Sequence, residues 1–155
     1  AIDHTAWYAR RVIWFETGLR LLVAEGPSAL TIERLCRETG KTKGSFYHHF
    51  SGQEGFRAGL IDWWKTHRSA AADRAMRRWA AARPAVEAMD RERIEARALQ
   101  ISVDEGWDLR RAREVALLET ALKLGLEELF PEAKTELLER SRVRLYQQLR
   151  HNVTP

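Results

Sequence analysis

The segment Thr31-Ile-Glu-Arg-Leu-Cys-Arg-Glu-Thr-Gly-Lys-Thr-Lys-Gly-Ser-Phe-Tyr-His-His-Phe50 reads as two short helices joined at a glycine. Thr31 is a natural N-cap for the first helix, which turns Ile32 and Leu35 inward. Gly40 supplies the left-handed residue that ends it. Thr42 caps the second helix, which ends near Phe50 and sets Phe46 and Phe50 on its inner side. Lys43, Ser45, Tyr47 and His48 fall on the outer side. A glycine turn, an inward apolar set and an outward polar set on the second helix are what a helix-turn-helix needs. Hydroxyls and cations on a short exposed helix suit a phosphate backbone. Gly44 has no side chain, so the helix N-terminus and its N–H groups can approach a phosphate closely. Tyr47 offers a rigid ring with a hydroxyl at its tip, and Thr31 adds a phosphate contact from the preceding helix. The chemistry points to DNA and not to turnover.

Outward from this segment the chain reads as helical throughout. Its 155 residues contain only four prolines and nine glycines, and no alternating run of β-branched residues occurs. A first helix is expected from Asp3 to Glu25, with Trp7, Val12, Ile13, Leu19, Leu22 and Val23 as its apolar stripe and Trp14 also in the core. Gly26-Pro27-Ser28 ends it. Ser51-Gly52-Gln53-Glu54 has the pattern of a capping box, with Ser51 as the cap. It opens a fourth helix through Phe56, Leu60, Ile61, Trp63 and Trp64. Ala- and Arg-rich helical segments follow to about Arg83, and Pro84 opens a helix reaching Ile101. Asp104 to Phe130 reads as one long helix. Pro131 breaks it and stands in the first turn of a last helix ending near His151.

Composition sets the outer bounds. Apolar residues make up 45% and charged residues 31%, which is ordinary globular composition. The formal net charge is +4 and the pI about 9.6, far less basic than a purely electrostatic DNA packager. Nor is the charge concentrated at the motif. Residues 1–50 carry seven Lys+Arg against five Asp+Glu, and residues 63–113 carry twelve against eight. Specific contacts must therefore do more than bulk charge. The single cysteine, Cys36, excludes an internal disulfide and fits a reducing compartment. A small buried hydrophobe is its plainer reading and a redox switch the sharper one. No run approaches the roughly 20 apolar residues of a membrane span, and no signal peptide opens the chain, so a cytoplasmic protein is expected. The first residue is Ala, which suggests an N-terminus that is missing or processed.

Leu30-Thr31-Ile32-Glu33-Arg34-Leu35, Gly40 to Ser45 and Phe46-Tyr47-His48-His49-Phe50 together resemble the DNA-binding domain of the TetR family of transcriptional repressors. The likeness covers about residues 8–60. It implies an all-α fold, with residues 1–52 as the helix-turn-helix domain and 53–155 as a helical effector-binding and dimerisation domain. It implies DNA contacts at Thr31, Lys43, Gly44, Ser45, Tyr47, His48 and His49, to which the cap Thr42 and the start of the fourth helix are added. It also implies a homodimer on a palindromic operator, and release of DNA by a small molecule whose identity the chain does not give. No cofactor, metal or catalytic residue is implied.

The chain departs from the family pattern in three ways. Lys41 follows the turn glycine, where an apolar residue is usual; its stem can pack while its amine reaches water or phosphate. Gln53 replaces a common phosphate-anchoring lysine, so it can hydrogen-bond a phosphate but releases no counterion. The chain is also short for the family, and the shortfall falls between Trp64 and Trp79, as though a stretch were absent there.

Other features have plainer and sharper readings. His48 and His49 point about 100° apart on a helix and are a poor metal pair; His49 is divided between a backbone contact and packing against the fourth helix. Trp63, Trp64 and Trp79 lie where a pocket would form and either line it or pack between helices. Trp107, beside Gly106, is expected to pack the start of the long helix. The basic run Arg74 to Arg83 is a solvated face before it is a second DNA patch. Arg91 to Arg97 mixes signs at helical spacing, as an exposed salt-bridged face does, and offers no general acid–base pair. In Val115 to Leu126 the apolar residues cover more than one stripe. A helix buried on two sides can use one of them against a partner. Leu117, Leu118, Ala121, Leu122 and Gly125, with Leu138, Leu145 and Leu149 of the last helix, form the expected interface of a four-helix dimer contact.

Overall fold

Aromatic side chains set the packing of the N-terminal half. The computed structural model describes residues 4–130 and 135–151; they form eight α-helices and no strand. In chain order these are α1 (His4–Glu25), α2 (Ile32–Thr39), α3 (Lys43–His49), α4 (Gln53–Thr66), α5 (Ala70–Arg78), α6 (Arg83–Glu105), α7 (Leu109–Leu129) and α8 (Thr135–His151). The chain divides into two compact units, Ala1–Glu87 and Ala88–Pro155. That division falls later than the functional boundary read at residue 52, because α4 and α5 belong to the first compact unit.

In the first unit α1 packs against α2, α4 and α5, and α2 against α3. The centre is a cluster of Trp14, Phe15, Phe46, Phe50, Phe56 and Trp63, all buried. Trp14 meets Phe46 edge-on at 5.4 Å, and Phe46 lies 5.0 Å from Phe50 and 5.7 Å from Phe56. Phe15 lies against Phe50, Phe56 and Trp63. Edge-to-face and tilted pairs at these separations add to the stabilisation from area burial alone. The reading of α1 was right at Trp14 and Leu22, wrong at Ile13 and Val23, and missed Phe15 and Leu21. Ile13 and Val23 are 39% and 42% exposed, whereas Trp14, Phe15, Leu21 and Leu22 are inside. The wide rings of Trp14 and Phe15 reach α3 and α4, and their contacts set the helix's rotation. Trp7 lies outside the side chains that are described.

The start of α4 differs from the capping box. Gly52, not Ser51, is its N-cap; it has φ 98° and gives no side-chain bond. That backbone geometry is open to glycine and strained for serine. Glu54 is turned to Arg57 at 2.8 Å. The junction after α4 is short. Ser69 caps α5 by accepting from the Ala72 N–H at 3.1 Å. Asp73 accepts from the Trp64 indole at 3.0 Å and from Arg68 at 3.0 and 2.5 Å. α5 starts at Ala70 directly after the Ser69 cap, so residues 70–72 lie in its first turn.

In the second unit, α6 and α7 are separate helices as the pattern suggested, but the break between them falls at 106–108 and not between Ile101 and Asp104. α6 runs on to Glu105, Gly106 takes φ 67°, and Asp108 caps α7 by accepting from the Arg111 N–H at 3.1 Å. Ala98, Ile101, Ala112, Val115 and Ala116 form a core of small side chains. Trp107 lies in the turn itself and stacks on Tyr146 at 5.9 Å. Arg97 pairs with Glu119 at 2.7 Å, and Arg113 with Glu95 at 2.9 Å, so these charges link α6 to α7 instead of running along one exposed face. Pro131 lies outside the described residues.

The α1–α4 contact is close enough to be testable. A Cβ at Gly18 would stand 2.7 Å from Phe56 Cζ, and one at Gly59 would stand 2.9 Å from Phe15 Cζ. Gly18→Ala gains up to about 1 kcal/mol of helix propensity and loses about 1–3 kcal/mol to overpacking. Urea unfolding should show a net loss of stability. A more stable variant would contradict this account of the contact.

Candidate nucleic-acid interface

Two capped helices and one glycine build the interface. Thr31 Oγ1 accepts from the Arg34 N–H at 3.2 Å, and Thr42 Oγ1 accepts from the Ser45 N–H at 3.1 Å. Each hydroxyl is used as an acceptor, which leaves its own O–H to donate outward. Gly40 takes φ 66° and ψ 21°, and its N–H closes α2 on the Cys36 carbonyl. Lys41 N–H follows onto the same carbonyl at 3.1 Å. These bonds set the angle at which α3 leaves α2.

α3 has two unlike faces. Phe46 is 0% and Phe50 3% exposed, while Tyr47 between them is 57% exposed. Thr31, Thr42, Lys43, Gly44, Tyr47 and His48 are all exposed, and Ser45, His49 and Gln53 are half-buried. The Tyr47 ring rests edge-on against Phe46 at 5.6 Å, which stiffens it and leaves its hydroxyl outward. Gln53 Nε2 donates to the Leu30 carbonyl at 2.7 Å, so one amide hydrogen is held within the domain. Lys43 Nζ lies 2.6 Å from Glu33 Oε1. That pairing raises the lysine pKa and lowers the carboxyl pKa.

The C-terminal end of α3 is held from α1. Arg11 donates to the His49 carbonyl, and its guanidinium lies 4.7 Å above the Phe50 ring. A cation at the last carbonyls of a helix also suits the helix dipole. His49 Nδ1 is buried without a hydrogen bond. Cys36 is half-buried, and burial raises its thiol pKa. Among the described residues no group of three His, Cys, Asp or Glu side chains converges as a metal site requires.

Sequence reasoning missed Arg11 and Glu33. Opposite charges at Glu33 and Lys43, flanking the glycine turn, were a usable signal for the second. Nothing local marks the first, since Arg10 and Arg11 are alike in sequence. The expected pocket residues lie elsewhere than on this surface. Trp63, Trp64 and Trp79 are buried at 7%, 2% and 5% exposure in the first unit. Trp63 stacks on His67 at 4.0 Å.

Burial first, and then the charges of His48, Arg11 and Arg10, hold the His49 pKa below 6.5. The unfolded chain therefore takes up a proton at His49 before the folded one does. This contribution is fully present above about pH 6.5 and is lost as pH falls through the lower folded value. Unfolding free energy should decline from pH 7 to pH 5, and His49→Gln should flatten that decline. Equal slopes in the two proteins would contradict the assignment.

Residues 15–58 match the family model described as bacterial regulatory proteins, tetR family. No curated protein and no solved structure matches the chain. The matched span begins in α1 at Phe15, takes in the whole of α2 and α3, and ends within α4, so it covers the helix-turn-helix and Phe15, Phe46, Phe50 and Phe56 of the aromatic cluster. Over this segment the chain is similar to the tetR family of bacterial regulatory proteins, and the match supports a DNA-binding helix-turn-helix of that kind.

Proposed function

We propose that the chain is a homodimeric repressor that reads a palindromic operator with α3 and lets it go when a small molecule binds. The observation that carries this is the division of α3 into an anchored face and a presented one. Lys43, Tyr47 and His48 discriminate bases. Thr31, Thr42, Gly44, Ser45 and Gln53 position the phosphate backbone, with His49 as a secondary backbone contact. Two subunits address half-sites roughly 34–36 Å apart or a multiple of that.

The dimer is made by α7 and α8. Leu117 and Leu118 are 56% and 49% exposed, an unusual state for adjacent leucines in mid-helix. An open groove of about 760 Å³ runs past Leu118, Leu122, Ser141, Arg144 and Leu145. Ala121, Gly125 and Leu138 extend the face, whereas Leu149 packs against the core around Ala98 and Ala116 in its own unit. A Cβ at Gly125 would meet nothing within 4 Å in its own subunit. Gly125→Leu should therefore keep its helicity and sediment as a monomer where the parent is a dimer. A parent that is already monomeric, or a variant that stays dimeric, would contradict this interface.

The effector acts near Trp63, Trp64 and Trp79. The Trp63 indole N–H is buried without an acceptor, which a polar ligand would supply. The effector changes the spacing of the two DNA-binding heads, a shift of population and not a reaction. The close burial of all three tryptophans favours a second reading, a constitutive or architectural DNA-binding protein without an effector.

Selection of bound duplexes from a random pool, with stoichiometry read on the enriched sequence, tests the proposal. A palindrome bound by two or four subunits is expected. Unselective binding that fades with salt would favour the architectural reading. On the enriched duplex, Tyr47→Phe should cost about 1–2 kcal/mol of binding through its hydroxyl. Unchanged affinity would reduce Tyr47 to a packing role.

A further inference from the structure

Lys43 stands first in α3, the proposed reading helix, and a carboxylate already holds its ammonium. Glu33, on the outer face of α2, meets its ammonium at 2.6 Å, and both side chains are well exposed. The other ion pairs of α2 are different in kind. Arg20–Glu38 and Arg34–Glu25 tie α2 to α1, whereas Glu33–Lys43 crosses the turn of the helix-turn-helix on its outward side.

We infer that Glu33 is a specificity-determining residue, which lets Lys43 meet neutral base acceptors and penalises its use on phosphate. The inference rests on the proposed role of α3 as the reading helix. A lysine ammonium is a compact point charge that any phosphate attracts, whatever the sequence. With Glu33 in place, a phosphate approaching Lys43 also approaches a carboxylate, and two anions must share one cation. The gain from releasing a counterion at that contact is largely cancelled.

A base edge meets a different balance. The ammonium has three N–H donors, and Glu33 takes one of them. Two remain for neutral acceptors such as guanine O6 and N7. Such a contact needs no separation of the ion pair and brings no second negative charge beside Glu33. The carboxylate thus also fixes the direction of a side chain that would otherwise sweep several rotamers. Non-specific affinity is lowered more than operator affinity, and the ratio between them rises.

Glu33→Gln tests this, since the amide keeps the shape and a hydrogen-bond acceptor while removing the charge. Binding would be measured on the duplex enriched from a random pool and on a scrambled duplex of equal composition, across a salt series. The variant should bind the scrambled duplex about threefold to tenfold more tightly and gain less on the enriched one. Its slope of log K against log salt on scrambled DNA should steepen by about 0.9, one more phosphate contact. In a Lys43→Gln background the same substitution should no longer change the ratio. An unchanged ratio and slope in the single variant would overturn the inference. So would an effect that persists without Lys43, because Glu33 would then act by direct repulsion of DNA. If no duplex is enriched, or if Lys43→Gln alone leaves enriched-duplex affinity intact, the reading of α3 falls first and this inference with it.

Discussion

The fold of the first unit depends on the burial of Phe46 and Phe50 against Trp14, Phe15 and Phe56. α3 has seven residues, far fewer than the dozen or more that an isolated helix needs to persist in water. Its conformation is therefore borrowed from the cluster. The same burial fixes its rotation, because once Phe46 and Phe50 are inward, Tyr47 and His48 have no other direction to take. Thr42 at one end and Arg11 at the other satisfy the orphan backbone groups of a helix this short. The presented face of α3 and its stability thus come from one seven-residue element.

Charge is distributed in keeping with that arrangement. The net charge of +4 is small, and several cations of the first unit are held by carboxylates, including Lys43 at the start of α3. A protein that bound DNA by charge alone would leave such groups unpaired. Pairing them lowers indiscriminate attraction and leaves recognition to geometry, which is where the aromatic cluster has its effect.

How much was legible in the sequence follows from the range of each interaction. Caps and turns are local, so Thr31, Gly40 and Thr42 were read correctly from three or four residues of context. Ser51 was misread because its pattern matched a capping box while the backbone at Gly52 took a conformation only glycine accepts readily. On α1, Ile13 and Val23 were misplaced and Phe15 missed because the helix's rotation is set by partners of Trp14 and Phe15 more than thirty residues away. The long helix expected from Asp104 starts instead at Leu109, because the preceding helix runs on to Glu105 and the turn falls at Gly106. Arg97–Glu119 is likewise invisible to neighbour spacing, since its partners lie on different helices. The outward residues of α3 were legible because their inward neighbours are so plainly apolar. Arg11 and the pairing of Glu33 with Lys43 needed the tertiary structure.

The most direct measurement is the map of backbone amide shift changes in the labelled protein when an enriched duplex is added. The account predicts that the largest changes fall at Thr31 and from Thr42 to His48, with smaller ones at the start of α4 and at Arg11. Changes concentrated instead on Ala70 to Arg83, or along α7 and α8, would contradict it, because DNA would then be held by a surface that the aromatic cluster does not build.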